Sequence, residues 1–248
     1  DGNFPAHPSN PLLLESQKML CETVIKEKAD FGVIFDGDTD RLCFIDENGK
    51  FIPADMTLLL LAEAFLEKEA GAGIVYNAIC SKIVPEMVKK WGGRPIRSNV
   101  GYINISRKMR EGSGIIGGEL SSHYSFRDNG YSDSGFIAFV ILLQLLSKHE
   151  KPLSEIVKPF YKYFKSPEIN FTIKDKPAVI EKLKQKYSNE KQDFLDGITV
   201  EHEDWWFNVR PSNTEPLMRM VVEANTQELL TKKSREISNF ISRGSSKN

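Results

Sequence analysis

The chain has 248 residues, enough for one large or two small domains at roughly 150 residues each. Hydrophobic residues make up 40% and charged residues 27%, a globular balance that excludes a disordered or fibrous chain. Thirty-three basic against 34 acidic side chains leave a net charge of −1, so no overall field draws in nucleic acid or an anionic membrane, and neither is expected as a partner.

Leu12 to Lys28 carries apolar residues at helical spacing. The β-rich runs Phe31 to Phe35 and Leu42 to Ile45 follow, giving helix, strand, loop, strand. From Ala54 the pattern alternates: helix 55–69, strand 73–76, helix 81–90, strand 94–98, helix 102–111, strand 113–117 and helix 133–147. Such alternation predicts a parallel, doubly wound α/β sheet. Pro152, Pro159 and Pro167 then interrupt the chain, which places a boundary near Ser166. Strand 168–173, helix 177–187, strands 197–201, 205–210 and 217–223, and helix 226–241 read as a small α+β domain with a hairpin. The expected class is α/β: a doubly wound α/β domain followed by a small α+β domain from 166.

The longest apolar stretch, Phe136 to Leu146, is broken by Gln144 and falls short of the roughly 18 residues that span a bilayer. Cys21, Cys43 and Cys80 are odd in number and widely spaced, which fits packing thiols in a reducing cytoplasm. The chain begins at Asp1, not at methionine, and is expected to be a piece of something longer.

Asp36-Gly-Asp-Thr-Asp-Arg41 sets three carboxylates at alternate positions after an apolar strand. Crowded carboxylates repel, and a hard divalent cation with oxygen ligands is the simplest way to relieve them. A solvated acidic turn is the plainer alternative. Counting from Asp36, Asp38, Asp40 and Glu47 also fall on the ligand frame of a helix-loop-helix calcium site. That motif needs glycine where Arg41 stands and a helix where Phe31 to Phe35 reads as strand. An aspartate-nucleophile phosphatase fits less well, because Asp40 occupies the place where that class wants threonine or valine.

Gly117-Gly-Glu-Leu-Ser-Ser-His123 follows a strand, so Glu119 and Ser121 are expected beyond its carboxyl end, where open α/β sheets gather ligands. Carboxylate and hydroxyls there suit the vicinal hydroxyls of a sugar. Glu119 as a turn cap and His123 as a structural histidine are the alternatives. Arg210-Pro-Ser-Asn-Thr-Glu-Pro216 is a turn by composition, yet the planar fork of Arg210 with Ser212, Asn213 and Thr214 suits a phosphate dianion.

Taken in order, these motifs resemble the α-D-phosphohexomutase superfamily, its phosphomannomutase/phosphoglucomutase branch in particular. The likeness also takes in Asp1-Gly-Asn-Phe-Pro5, Asn10-Pro11, Val100-Gly101, Phe126-Arg-Asp-Asn129 and Asp133-Ser-Gly135. The resemblance implies an enzyme interconverting hexose 1-phosphate and 6-phosphate, of which 1–52 is the end of domain two, a partial α/β domain, 53–165 is domain three, the doubly wound domain, and 166–248 is domain four, the α+β domain. It implies Mg2+ held by Asp36, Asp38 and Asp40, with Arg41 beside a phosphoserine. It further implies sugar contacts from Glu119, Ser121 and His123, a phosphate grip of Arg210, Ser212, Asn213 and Thr214, and hexose 1,6-bisphosphate as activator and intermediate. The substrate partner is a small-molecule hexose phosphate.

The family's Thr-Ala-Ser-His-Asn-Pro type serine loop is not in this sequence, so the missing N-terminal domains of the same protein are expected to supply the nucleophile, and the chain alone is expected to be inactive. Tyr102 and Ser106 stand where the family commonly has histidine and lysine, and Ser122 where glycine or alanine is usual, which could alter the preferred hexose. A non-catalytic module binding sugar phosphate or a divalent cation is the alternative function.

Overall fold

The structure is a computed structural model that describes residues 2–212 and 215–244. The chain divides into two compact units, Asp1–Tyr161 and Lys162–Asn248.

In the first unit, helix α1 (Leu14–Glu27) leads into strands β1 (Phe31–Phe35), β2 (Leu42–Asp46) and β3 (Phe51–Ile52). These pair antiparallel in the order β1-β2-β3. Phe35 faces Leu42 in the β1/β2 register, so the acidic stretch 36–41 is a hairpin connection. Helix α1 starts two residues later than its apolar spacing predicts, because Asn10 Oδ1 accepts from Leu12 N–H and holds a turn there. Every residue of β2 is buried.

Helix α2 (Ala54–Leu66), β4 (Gly73–Asn77), α3 (Ile83–Lys90), β5 (Arg94–Ser98), α4 (Tyr102–Gly112), β6 (Gly114–Gly118), β7 (Tyr124–Phe126), α5 (Gly135–Leu146) and the short α6 (Leu153–Val157) complete this unit. The sheet order is β5-β4-β6-β7, with β4, β5 and β6 parallel. Strand β7 runs antiparallel to β6, so the sheet is mixed at one edge. From β4 to β5 the chain moves one way, and from β5 it returns across β4 to β6. Right-handed connections then place successive helices on opposite faces. Helices lie against both sides of β6 at its adjacent glycines: a Cβ on Gly117 would strike Ile105 and Met109 of α4, and one on Gly118 would strike Leu58 of α2, which packs with α3. Side chains alternate along a strand, so two glycines let a helix approach closely from each side. Leu58, Leu59, Leu60 and Leu61 are fully buried, each contributing about 1.5–3 kcal/mol.

Helix α6 is tied back to the β2/β3 turn. Glu47 Oε2 accepts from Ser154 N–H at 3.2 Å and Glu47 Oε1 from Ser154 Oγ, so a carboxylate 107 residues away satisfies a first-turn donor of a five-residue helix. Burial works against the charge of Glu47, but the Ser154 and Asn48 hydrogen bonds outweigh it and hold the carboxyl below its ordinary range. A lowered native pKa adds stability above the unfolded value, lost as pH falls through the native one. Thermal midpoints of the wild type and Ser154→Ala are therefore expected to differ by about 1 kcal/mol of stability at pH 7 and to converge toward pH 3.

The second unit contains β8 (Phe164–Lys165), β9 (Ile169–Thr172), α7 (Lys176–Lys186), β10 (Lys191–Asp193), β11 (Ile198–Glu201), β12 (Trp205–Pro211), β13 (Leu217–Ala224) and α8 (Gln227–Gly244). Its antiparallel sheet runs β10-β11-β12-β13-β8, and β9 also pairs with β13. Trp205, Phe207 and Val209 alternate on β12 with Trp206, Asn208 and Arg210. The first set packs with Met218, Met220 and Val222 against Val179 and Leu183 of α7 and Leu230, Ile237 and Ile241 of α8. Period-two alternation therefore sets Arg210 on the face away from the core. Asp175 caps α7 by accepting from Ala178 N–H, which starts that helix one residue earlier than predicted.

No helix among the described residues is long and apolar enough to cross a membrane. Cys21, Cys43 and Cys80 are free thiols, and burial pushes Cys43 up to about 11, as suits a packing residue.

Candidate functional site

The β1/β2 hairpin folds the acidic loop into a cluster: one oxygen each from Asp36, Asp38 and Asp40 lies within 4.8 Å of the others. Arg41 pins one side. Its N–H donates to Asp36 Oδ1 at 3.1 Å, its Nε to Asp36 Oδ2 at 2.6 Å and its Nη1 to Asn10 Oδ1 at 3.2 Å. Burial opposes ionisation of Asp36, but hydrogen bonds with Arg41 and Asp40 outweigh it and hold the carboxyl below the usual range. Burial, then the bond to Asp36, pushes Asp40 up to about 6. Two carboxyls sharing a proton is how crowded acids behave without a cation.

The donor set fits a hard cation. It is all oxygen, it carries three carboxylates, and Asp40 Oδ1 is a buried atom without a hydrogen-bond partner among the described residues. The loop is held from behind. Thr39 adopts φ 65°, a left-handed conformation that a β-branched residue enters at a cost of order 1–3 kcal/mol. Its carbonyl accepts from Gly135 N–H at 3.1 Å, at the start of α5. A Cβ on Gly135 would lie 2.8 Å from the Thr39 carbonyl and 2.9 Å from that of Arg41. Gly135→Ala is expected to cost about 1–3 kcal/mol in urea unfolding, since backbone must move.

The second polar loop follows β6. Glu119 is 3% exposed, and its Oε1 accepts from Gly101 N–H at 2.5 Å. Asn77, at the end of β4, also hydrogen-bonds it. Loops after all three parallel strands thus meet at this carboxylate. Burial pushes Glu119 above its ordinary range, partly offset by the Gly101 N–H. Ser121 Oγ lies 2.8 Å from His123 Nδ1 and 3.5 Å from Glu119 Oε2.

The two loops adjoin. Arg41 and His123 form an isolated antiparallel bridge, Ser122 carbonyl accepts from Leu42 N–H at 3.1 Å, and His123 Nε2 lies 3.5 Å from Asp40 Oδ2. Asp133, assigned no role from sequence, joins them: ligand atoms of Asp40, His123 and Asp133 lie within 4.8 Å of one another. It precedes α5, which begins at Gly135 and not at 133, because Ser134 is the extended cap whose side chain accepts from Ile137 N–H. A serine before an apolar run was the readable signal.

Ser122 is buried, 1% exposed, and its Oγ accepts from Cys43 Sγ at 3.2 Å. Its φ of 69° is the conformation that favours glycine. Tyr102 begins α4 and is exposed, while Ser106 Oγ accepts from Arg110 Nη1 at 2.7 Å.

In the second unit, the β12/β13 register sets Arg210 opposite Arg219. Glu168 bridges them, accepting from Arg210 Nη2 at 2.8 Å and Arg219 Nη1 at 2.9 Å, and Glu215 also pairs with Arg219. Arg210 is 3% exposed. Ser212 N–H donates to the Leu217 carbonyl and its Oγ accepts from Glu215 N–H, closing the turn. Asn213 and Thr214 lie outside the described residues. Arg219 and Glu168 were missed from sequence, because only the hairpin register shows that Arg219 faces Arg210.

This is an α/β architecture whose Glu119 loop lies at the carboxyl ends of parallel strands, while the acidic loop and the Arg210 loop connect antiparallel hairpins. The phosphoglucomutase/phosphomannomutase family models match nearly all of it: alpha/beta/alpha domain II over residues 1–49, alpha/beta/alpha domain III over 53–164 and the C-terminal domain over 168–239. The chain belongs to the phosphoglucomutase/phosphomannomutase family of the phosphohexomutase superfamily and covers its C-terminal domains. A phosphomannomutase of Methanocaldococcus jannaschii is 42% identical over 243 residues, spanning 98% of this chain and 54% of the relative. A phosphomannomutase of Vibrio cholerae is 42% identical over 246 residues, spanning 97% and 53%. The solved structure of a phosphoglucomutase/phosphomannomutase family protein from Burkholderia thailandensis superposes with a TM-score of 0.89 at 29% identity, covering 98% of this chain and 53% of that one. The chain spans about half the length of the curated relatives it matches.

Proposed function

We propose that this chain supplies the cation, sugar and distal-phosphate sites of a phosphohexomutase acting on mannose or glucose phosphates in the cytoplasm. The whole protein interconverts hexose 1-phosphate and hexose 6-phosphate through a hexose 1,6-bisphosphate, with the phosphoserine on N-terminal polypeptide outside this sequence. The contact between the acidic loop and the sugar loop carries the reading. A merely solvated acidic turn has no reason to meet Glu119, Ser121 and His123, yet Asp40 reaches His123 and Arg41 bridges to it.

Asp36, Asp38 and Asp40 would hold Mg2+, which when bound neutralises phosphate-oxygen charge during transfer. Arg41, already oriented by Asp36 and Asn10, keeps a cationic fork beside the place where a phosphoserine would enter. Glu119 accepts from ring hydroxyls, and its buried backbone and Asn77 contacts hold it in one position so that little orientation remains to be ordered on binding. Ser121 and His123 add donor and acceptor groups on the same loop. In the second unit, Arg210, Ser212, Asn213 and Thr214 grip the phosphate that is not reacting, and the register of Arg219 opposite Arg210 supports including Arg219 with them. Free thiols at all three cysteines agree with a reducing compartment.

Given mannose 1-phosphate, magnesium and a hexose bisphosphate activator, the 248-residue chain alone is expected to give no turnover above background in a coupled mutase assay. Robust turnover by rigorously pure chain overturns the assignment of the phosphoryl carrier to polypeptide outside it.

A further inference from the structure

The hairpin of the second unit creates an electrostatic conflict that neighbouring carboxylates resolve, Glu168 pairing with both Arg210 and Arg219 and Glu215 with Arg219 alone. Arg210 and Arg219 stand directly opposite each other on β12 and β13, and like charges facing across a strand pair are destabilising. Glu168, just before β9, gives one oxygen to each: Oε2 to Arg210 Nη2 at 2.8 Å and Oε1 to Arg219 Nη1 at 2.9 Å. Two oxygens of a phosphate monoester present the same fork to a pair of guanidinium groups. Arg210 is shut in, whereas the Glu168 and Arg219 side chains are 27% and 23% exposed, so water and solutes reach the bridge from the Glu168–Arg219 side. Neither arginine Nε has a hydrogen-bond partner among the described residues, so the carboxylate leaves donor capacity on both groups unused.

Resting on the reading of this loop as a phosphate grip, we propose that Glu168 is an internal stand-in for phosphate, occupying the arginine pair while the site is free and giving way when the ligand arrives. The exchange is one anion for another and changes no covalent bond. A carboxylate and a phosphate dianion repel at this separation, so they do not share the pair. The arginines stay neutralised and ordered between turnovers, and the phosphate is held more weakly than the two guanidinium groups alone would hold it. That weakening favours release, which suits a bisphosphorylated intermediate that must leave and return with its ends exchanged.

Calorimetric titration of the full 248-residue chain with inorganic phosphate and with mannose 6-phosphate tests this. Glu168→Gln, which keeps the shape and removes the charge, is expected to bind both about tenfold more tightly than wild type, because the charged hydrogen bonds that phosphate must displace are gone. Unchanged or weaker binding by Glu168→Gln overturns the stand-in and leaves Glu168 a positioning residue at most. Arg210→Ala separates the two levels: if it binds phosphate as well as wild type does, the phosphate grip itself fails. Absence of binding by both wild type and Glu168→Gln overturns both. A second readout avoids dependence on a folded variant. In wild-type chain with 13C-labelled glutamate, saturating phosphate is expected to move the Glu168 carboxyl resonance, and a resonance that stays in place overturns the proposal.

Discussion

Replacing Asp36, Asp38 and Asp40 together by asparagine is expected to abolish magnesium binding, with affinity falling at least a hundredfold, about 2.7 kcal/mol. The three side chains supply every carboxylate of the β1/β2 loop cluster, and asparagine keeps their size while removing the charge that a hard cation requires. Calorimetry with magnesium chloride measures this directly. Scanning calorimetry adds a readout on the fold: magnesium at a hundred times its dissociation constant should stabilise the wild type by about 2.7 kcal/mol and leave the variant's midpoint unmoved. If the variant binds magnesium as the wild type does, the acidic loop is a solvated turn and the cation assignment fails. The variant also loses the charge that Arg41 holds, so comparing it with Asp38→Asn alone separates loss of ligands from loss of the Asp36–Arg41 pair.

Arg210→Ala should lose hexose phosphate binding by about 2–5 kcal/mol, or roughly thirtyfold to several-thousandfold. Arg210 is buried on the non-core face of β12, and no other side chain at that position of the strand can present a planar fork. Arg210→Lys keeps the charge and loses the fork, so an intermediate affinity is expected. The measurement is calorimetry with mannose 6-phosphate, beside a thermal midpoint that checks the second unit remains folded without the Arg210–Glu168 bond. Binding that survives Arg210→Ala makes the segment 211–216 a plain hairpin turn.

Much of the fold was legible because it follows local periodicity. Apolar runs bounded by turn residues marked β1, β4, β5, β6, β11, β12 and β13, and helical spacing marked α1 to α5, α7 and α8. The short elements were not legible. Strands β3, β7, β8 and β10 have two or three residues each, too few for a period to show, and they exist because a neighbouring strand offers unpaired backbone groups. The antiparallel edge strand β7 is one such case, and it modifies the parallel sheet that the alternating pattern predicted.

The candidate site divides in the same way. The residue types of the acidic, sugar and arginine loops stand in the sequence as short motifs, because the chemistry of crowded carboxylates or a guanidinium fork resides in neighbours along the chain. Which groups meet does not. The contact of Asp40 with His123, the support of Thr39 by Gly135, the hydrogen bond of Cys43 to Ser122 and the bridge from Glu168 to Arg210 and Arg219 join residues 42 to 96 positions apart or depend on a strand register. The sequence by itself determined the residue types of the candidate site and the order of the elements, since both are properties of local covalent neighbourhood. Only the tertiary structure decided which carboxylates are buried, which are paired and which arginines face one another, because burial and pairing energies arise from groups that folding alone brings within a few ångströms.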